Sequence, residues 1–227
     1  MEPTIESTPD QVSGTYNKSI PEHERKIINS VLDYWFGTDW DRHSTAPAGY
    51  FPRWFGNSKE TDDKISQMFK GHMEKYFADE YKGWEDDKDG SMAAIIMCDQ
   101  FSRNVYRKSA KAFANDFRTQ AIVHKILKDE ERYAEYKIFE KCFIVISLMH
   151  KEDANWTQKS IDRMSELNDH AIEQTGGSVN FEGAWKMAKQ HHDTVLTYGR
   201  YPHRNEVLGR ESTPEEMVYL EDAIRYG

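Results

Sequence analysis

The sequence predicts an all-α protein, a single domain of about eight helices, and three observations carry that prediction. Apolar side chains recur at three- and four-residue spacing through most of the chain. No stretch alternates apolar and polar cleanly enough to compete as a strand, since the best candidate, FIVISL, has helical flanks. Glycine, proline and capping residues punctuate the periodic segments. No period of about 34 residues recurs, so self-similarity does not support a regular solenoid.

The first helix lies in PEHERKIINSVLDYWFG, where Ile27, Ile28, Val31, Leu32, Trp35 and Phe36 form the stripe. Ser19 or Pro21 opens it and Gly37 stops it. TDWDRHSTAPAGYFPRWFG then reads as an aromatic loop whose prolines and glycines forbid a regular helix. Ile65, Met68, Phe69, His72, Met73, Tyr76 and Phe77 mark the second helix. The charged turn EDDKDG leads to the third, SMAAIIMCDQFSRNVYR. The fourth runs from about Asn115 to Lys128, with Asn115 or Asp116 as N-cap. The fifth, YKIFEKCFIVISLMH, is apolar almost all round and belongs at the centre. The sixth spans about Trp156 to Glu173. TGGSVN breaks the chain, and EGAWKMAKQHHDTVLTYG is the seventh, ended by Gly199. Trp185, Ala188, His192, Val195 and Leu196 trace its inner stripe, with His191 near the edge. The last helix opens at STPEE, with Thr213 as N-cap, Pro214 at the first helical position and Glu216 three residues after the cap. Residues 1–20 are expected to be a disordered tail and 21–227 the helical domain.

Thirty Lys and Arg stand against 39 Asp and Glu, a formal charge of −9. That balance argues against nucleic-acid binding by bulk electrostatics and against docking on an anionic membrane. No apolar run approaches the roughly 20 residues that cross a bilayer, and the N-terminus lacks the pattern of a secretory signal. Cys98 and Cys142 lie in apolar stretches and read as buried free thiols in a reducing compartment, the cytosol. No GxSxG, GxGxxG or Walker loop is present, so no cofactor is expected.

Polar residues interrupt the core pattern in three places. In the third helix an apolar run gives way to Asp99, Gln100, Arg103, Asn104 and Arg107. Asp99 with Arg103, Gln100 with Asn104 and Arg103 with Arg107 are helical neighbours at i,i+4. Either they clamp neighbouring loops or they hold a ligand. In LMHKEDANW the most apolar helix ends in His150, Glu152 and Asp153. Histidine suits a helix C-terminus and Asp153 a helix cap, yet the trio also suits acid/base work in a cleft. The third place is HHD with YGRYPHRNEVLGR: His191, Asp193, Arg200, His203, Arg204, Asn205 and Arg210. Asp193 can orient a ring, and the turn after Pro202 is expected to offer free backbone N–H groups to a phosphate or carboxylate. The other reading is a rigid loop tying off helix-end carbonyls. His150, Glu152, His191, Asp193 and His203 include metal-ligand types, but no pair has HExxH spacing and no metal is assigned.

Taken in order, VLDYWFG, RWFG, DQFSRN with AFANDF, LMHKED and GRYPHRNEVLGRESTPEE resemble the helical family catalogued as domain of unknown function 924, from about Ile27 to Glu216. The resemblance implies a fold similar to tetratricopeptide-like α-α superhelices, or a compact bundle, without a regular sequence repeat. Its pattern also falls on Arg53 and Trp54. The chain departs from it at Ser102, where proline is frequent, and at His192, where arginine is usual. The first departure predicts a less kinked helix. The second removes one fixed positive charge. No settled activity follows from the family.

Two functions follow. The first is an enzyme or binding protein for a small polar or anionic molecule. His150, His191 or His203 would move protons, helped by Glu152, Asp153 and Asp193. Arg53, Asp99, Gln100, Arg103, Asn104, Arg107, Arg200, Arg204, Asn205 and Arg210 would hold the ligand. The alternative is a helical scaffold whose groove, with exposed aromatics from GYFPRWFG, holds a peptide or protein partner. In a third reading the polar strings are purely structural.

Overall fold

The computed structural model describes residues 20–38 and 50–222, and among them there are eight α-helices of eight or more residues and no strand. The tail expected over 1–20 lies outside the described residues apart from Ile20, and Ser19 with it.

Helix α1 (Glu22–Phe36) buries Ile28, Val31, Leu32, Trp35 and Phe36, and Gly37 stops it at φ 91°. Residues 39–49 of the expected aromatic loop lie outside the described residues, but its last part is helical: α2 spans Tyr50–Phe55. Pro52 does not prevent this, because a first-turn residue needs no intrahelical N–H partner. Helix α3 (Lys59–Phe77), capped by Ser58, buries Ile65, Phe69, Met73 and Tyr76, whereas Met68 of the expected stripe is exposed.

The charged turn is shorter than expected. Asp87 caps α4 (Lys88–Ile95) by accepting from Gly90 N–H at 2.8 Å, so helix begins inside EDDKDG. Gly90 permits the approach, since a Cβ there would lie 2.6 Å from the Trp84 carbonyl oxygen. The third helix is not regular either. Residues Ile96–Phe101 form a π turn between α4 and the short α5 (Ser102–Val105). Ser102 closes that turn, its hydroxyl donating to the Met97 carbonyl five residues back at 3.1 Å. The expectation of a more regular helix at Ser102 is thus corrected: the extra residue of the π turn sets the local path.

Helix α6 (Asp116–Leu127) follows, with Asn115 at the capping position but no cap from its side chain. The short α7 (Glu130–Ala134), which the sequence pattern did not reveal, is opened by Asp129. Helix α8 (Ile138–Met149) buries every residue but Lys141 and includes FIVISL. Helices α9 (Ala154–Thr175) and α10 (Glu182–Tyr198) pack along each other and on α8. The inner face of α10 keeps Ala188 and Val195 of the expected stripe, with Trp185 packed against the core, but takes His191 in place of His192, which is half-buried, and leaves Leu196 exposed. Gly199 ends α10 at φ 68°. Helix α11 (Pro214–Asp222) starts with the expected box, Thr213 N–H donating to Glu216 at 2.8 Å and Glu216 N–H to Thr213 Oγ1 at 3.2 Å.

One hydrophobic core joins side chains from α1 through α10. Trp35 and Phe143 meet edge to face at 5.5 Å near its centre, and the Trp54 indole donates to the Trp35 carbonyl at 2.9 Å. Cys98 and Cys142 are buried and unpaired by disulfide, and burial raises both thiols, Cys142 to about 12. Among the described residues, no helix is long and apolar enough to cross a membrane.

Candidate functional site

The C-terminus of α8, the π turn, the start of α6 and the 199–210 loop meet at the edge of the core. Asp99, on the π turn, is 1% exposed. Its Oδ1 accepts from His150 Nδ1 at 2.7 Å, and its Oδ2 from the Gln100 amide at 2.6 Å. A carboxylate only accepts, so Nδ1 of His150 carries a hydrogen, and Nε2 is the ring nitrogen that this bond leaves over. Burial pushes the Asp99 carboxyl up, but His150, Arg103 and Gln100 together outweigh it and hold the group at about 2.

Arg103 approaches Asp99 at 3.5 Å, as its i,i+4 spacing predicts, but gives its bidentate bond to Asp116 at 2.8 and 3.0 Å. The same guanidinium donates to the Ala112 carbonyl. Arg204 lies on the other side, 3.7 Å from Asp116, and its Nη1 donates to the His150 carbonyl at 3.0 Å. Its guanidinium carbon sits 4.5 Å from the Phe113 ring centre and 4.6 Å from that of Tyr201. Burial first, and Arg103 second, lower Arg204 to about 10.

A row of rings continues from His150. His191 is 6.3 Å away, Tyr201 lies 5.3 Å beyond it, and His203 a further 5.6 Å from Tyr201. His191 is buried because α10 turns it toward α8, and its Nδ1 donates to the Met187 carbonyl at 2.9 Å. Burial, then His150, pushes His191 down to about 4; burial, then Arg204, pushes His203 down to about 3. Both rings are therefore neutral at pH 7. His191, Tyr201 and His203 share a crevice with Gln190, Thr194 and Tyr219 that is too narrow for a water molecule. The latter three escaped sequence reasoning, since nothing in α10 or α11 marks a polar edge position as part of a crevice.

The loop itself is fastened from within. The anion at its turn is the chain's own: Glu152 accepts from Tyr201 N–H at 2.8 Å and from both terminal nitrogens of Arg210 at 2.7 and 2.9 Å. Burial raises Glu152, yet Arg210 and that N–H bring it below its usual value. The N–H groups of Arg204 and Asn205 close a 3₁₀ turn onto the Tyr201 and Pro202 carbonyls, so two of the donors expected to be free after Pro202 are already engaged. The Tyr201 hydroxyl donates to the Met149 carbonyl.

The other predicted residues lie apart from this centre. Arg200 forks onto Glu216 at 2.7 and 2.8 Å, and Asn205 donates to the same carboxylate at 3.1 Å, anchoring α11. Asn104 and Arg107 bind Asp62 on α3, at 2.8 Å and at 2.7 and 2.8 Å. Arg53 donates to the Tyr34 carbonyl and stacks over Tyr34 and Tyr50. Asp153 caps α9 through the Asn155 and Trp156 N–H groups at 2.9 and 3.2 Å. Asp193 faces solvent, and His192 pairs with Thr157 at 2.9 Å. No group of three His, Cys, Asp or Glu side chains among the described residues is arranged to hold a metal ion.

Fold and site together define an all-helical protein with a buried histidine, arginine and aspartate constellation where its central helix ends. The chain belongs to the family described as bacterial protein of unknown function (DUF924), whose model matches residues 31–223. It is similar to a solved structure of a protein of unknown function, ATU0120, from Agrobacterium tumefaciens, at 25% identity and a TM-score of 0.71. That match covers 88% of this chain and 99% of the other. No curated protein matches.

Proposed function

We propose that the centre around Asp99 and His150 is a small-molecule site at which His150 exchanges a proton with a polar or anionic ligand. The observation that carries this is the 2.7 Å bond from His150 Nδ1 to a carboxylate that is almost wholly buried. Such a bond fixes tautomer and ring orientation and leaves Nε2 to act, the logic of an oriented general base. Arg103, Arg204 and the neutral rings of His191 and His203 form its surroundings. A thermal-melt screen against small polar acids tests the reading, because a ligand bound only by the folded chain raises its melting temperature. A stabilising compound should perturb the ¹⁵N signal of His150 Nε2 and lose most of its effect in His150→Asn. The idea fails if no compound stabilises the protein, or if His150→Asn responds as the parent does.

A tetratricopeptide-like scaffold for a peptide is the second reading. In its favour stand Phe51 and Phe55, side by side on α2 with ring centres 6.1 Å apart and each about half exposed. Substituting both by serine would abolish capture of such a partner while leaving the His150 centre untouched.

A further inference from the structure

The arginines of the polar strings are not equivalent. Arg103, Arg107, Arg200 and Arg210 each donate to a carboxylate. Arg53 donates to none among the described residues, but it is only half-buried. Arg204 is 6% exposed and, among the described residues, donates to no carboxylate. Both oxygens of Asp116, its nearest anion at 3.7 Å, already accept from Arg103. The single hydrogen bond from its guanidinium to a described residue leaves by Nη1, and Nε is buried with no partner. Nε of Arg118 and Arg210 is likewise bare, but their terminal nitrogens hold Asp79 and Glu152. A buried cation without a hydrogen-bonded counter-ion is costly.

The chain shows what this edge of a guanidinium takes. Arg107 and Arg200 both use Nε and Nη2 as a fork around one carboxylate. We infer that the Nε–Nη2 edge of Arg204 is the anchor of the site proposed above, and that it takes a single carboxylate group of a small ligand. This rests on the reading of that centre as a ligand site.

Two further features favour a carboxylate over a phosphate dianion. A carboxylate brings one negative charge to the single Arg204 cation, whereas a phosphate dianion brings two into the same buried place, at a steeply greater cost. The Phe113 and Tyr201 rings also lie against the Arg204 guanidinium, with centres 4.5 and 4.6 Å from its carbon, and this stacked setting suits a planar carboxylate in the guanidinium plane better than a tetrahedral anion. Tyr201 is held by its bond to the Met149 carbonyl, whereas Phe113 is half-buried, so Phe113 is the ring that yields on entry.

The test uses the full chain and simple probes: sodium acetate and formate against inorganic phosphate and sulfate, with chloride holding ionic strength constant. ¹H–¹⁵N spectra follow the arginine Nε–H signals. Acetate and formate should shift the Arg204 signal saturably and leave those of Arg107 and Arg200 in place, with phosphate and sulfate about tenfold weaker. Arg204→Lys keeps the charge but not the fork and should weaken acetate about tenfold. If that variant does not fold, the wild-type spectra decide alone. An Arg204 signal unmoved by both carboxylates, moved equally by chloride, or moved more strongly by phosphate overturns the assignment. An acetate response that survives His150→Asn supports the anchor even where proton exchange at His150 fails its own test.

Discussion

Acid should destabilise this protein well above the pH at which its carboxylates titrate, through His191 and His203. Their folded values of about 4 and about 3 lie below the ordinary 6.5. A folded value below the unfolded one means that protons bind the unfolded chain preferentially. The stabilisation is complete above pH 6.5 or so and is lost as the pH falls through 6.5 toward the folded values. One unit corresponds to about 1.4 kcal/mol, so at pH 5 each histidine has forfeited about 2 kcal/mol and the pair about 4 kcal/mol. Against a total of roughly 5–15 kcal/mol this is a large loss, equivalent to a drop of about 10 °C in Tm for a chain of this size. Asp99, Glu152 and Glu216 have values below those of ordinary carboxyls and stay ionised through this window. Urea unfolding at a series of pH values between 7.5 and 5 measures the slope, and His203→Gln should remove about half of it. An unchanged slope in that variant, or ring signals of His203 titrating near 6.5, would refute the account.

Asp99→Asn should cost about 3 kcal/mol in urea unfolding, because it removes the buried partner of His150 and a neighbour of Arg103; a loss below about 1 kcal/mol would show that the pair is not holding the site together. Glu216→Gln cuts the fork from Arg200 and weakens the Thr213 box, so amide exchange in α11 should speed by about tenfold while α8 is unaffected. Equal acceleration in both helices would contradict a local anchor.

The helices were legible because burial leaves a periodic trace: Ile28, Val31, Leu32, Trp35 and Phe36 announce α1, and the capping box at Thr213 and Glu216 announces α11. What was illegible has no such trace. A π turn is one extra residue, and its agent, the Ser102 hydroxyl on the Met97 carbonyl, looks like any serine in a helix. On α10 the sequence put His192 inward where His191 is buried, because the two are chemically alike and only tertiary packing decides between them. At the site, the residue types were visible but their partners were not. Asp99 finds His150 and Tyr201 finds Glu152 across about fifty positions of sequence, which no local spacing records. The i,i+4 rule held for Asp99 with Arg103, yet Gln100 turned back onto Asp99 and Asn104 went to Asp62.

The density of charge in GRYPHRN therefore has two causes that can be separated residue by residue. Gly199 supplies the positive φ that ends α10, and Pro202 opens the following 3₁₀ turn. Arg200 holds α11 through Glu216, and Arg210 closes the loop onto Glu152 at the end of α8. These ties put the loop in one place relative to His150, and fixing a loop is what makes a side chain on it precise enough to meet a ligand. His203 and Arg204 gain nothing comparable for the fold: one is an imidazole pushed far from protonation, the other a buried guanidinium with no hydrogen-bonded counter-ion among the described residues. A sequence selected only for stability would replace both with apolar side chains of similar volume, a change that is often neutral or stabilising. Their presence beside an oriented histidine, inside a loop whose Arg200 and Arg210 are each matched to a carboxylate, is the arrangement expected under the proposed reading, in which the last partner comes from outside the chain.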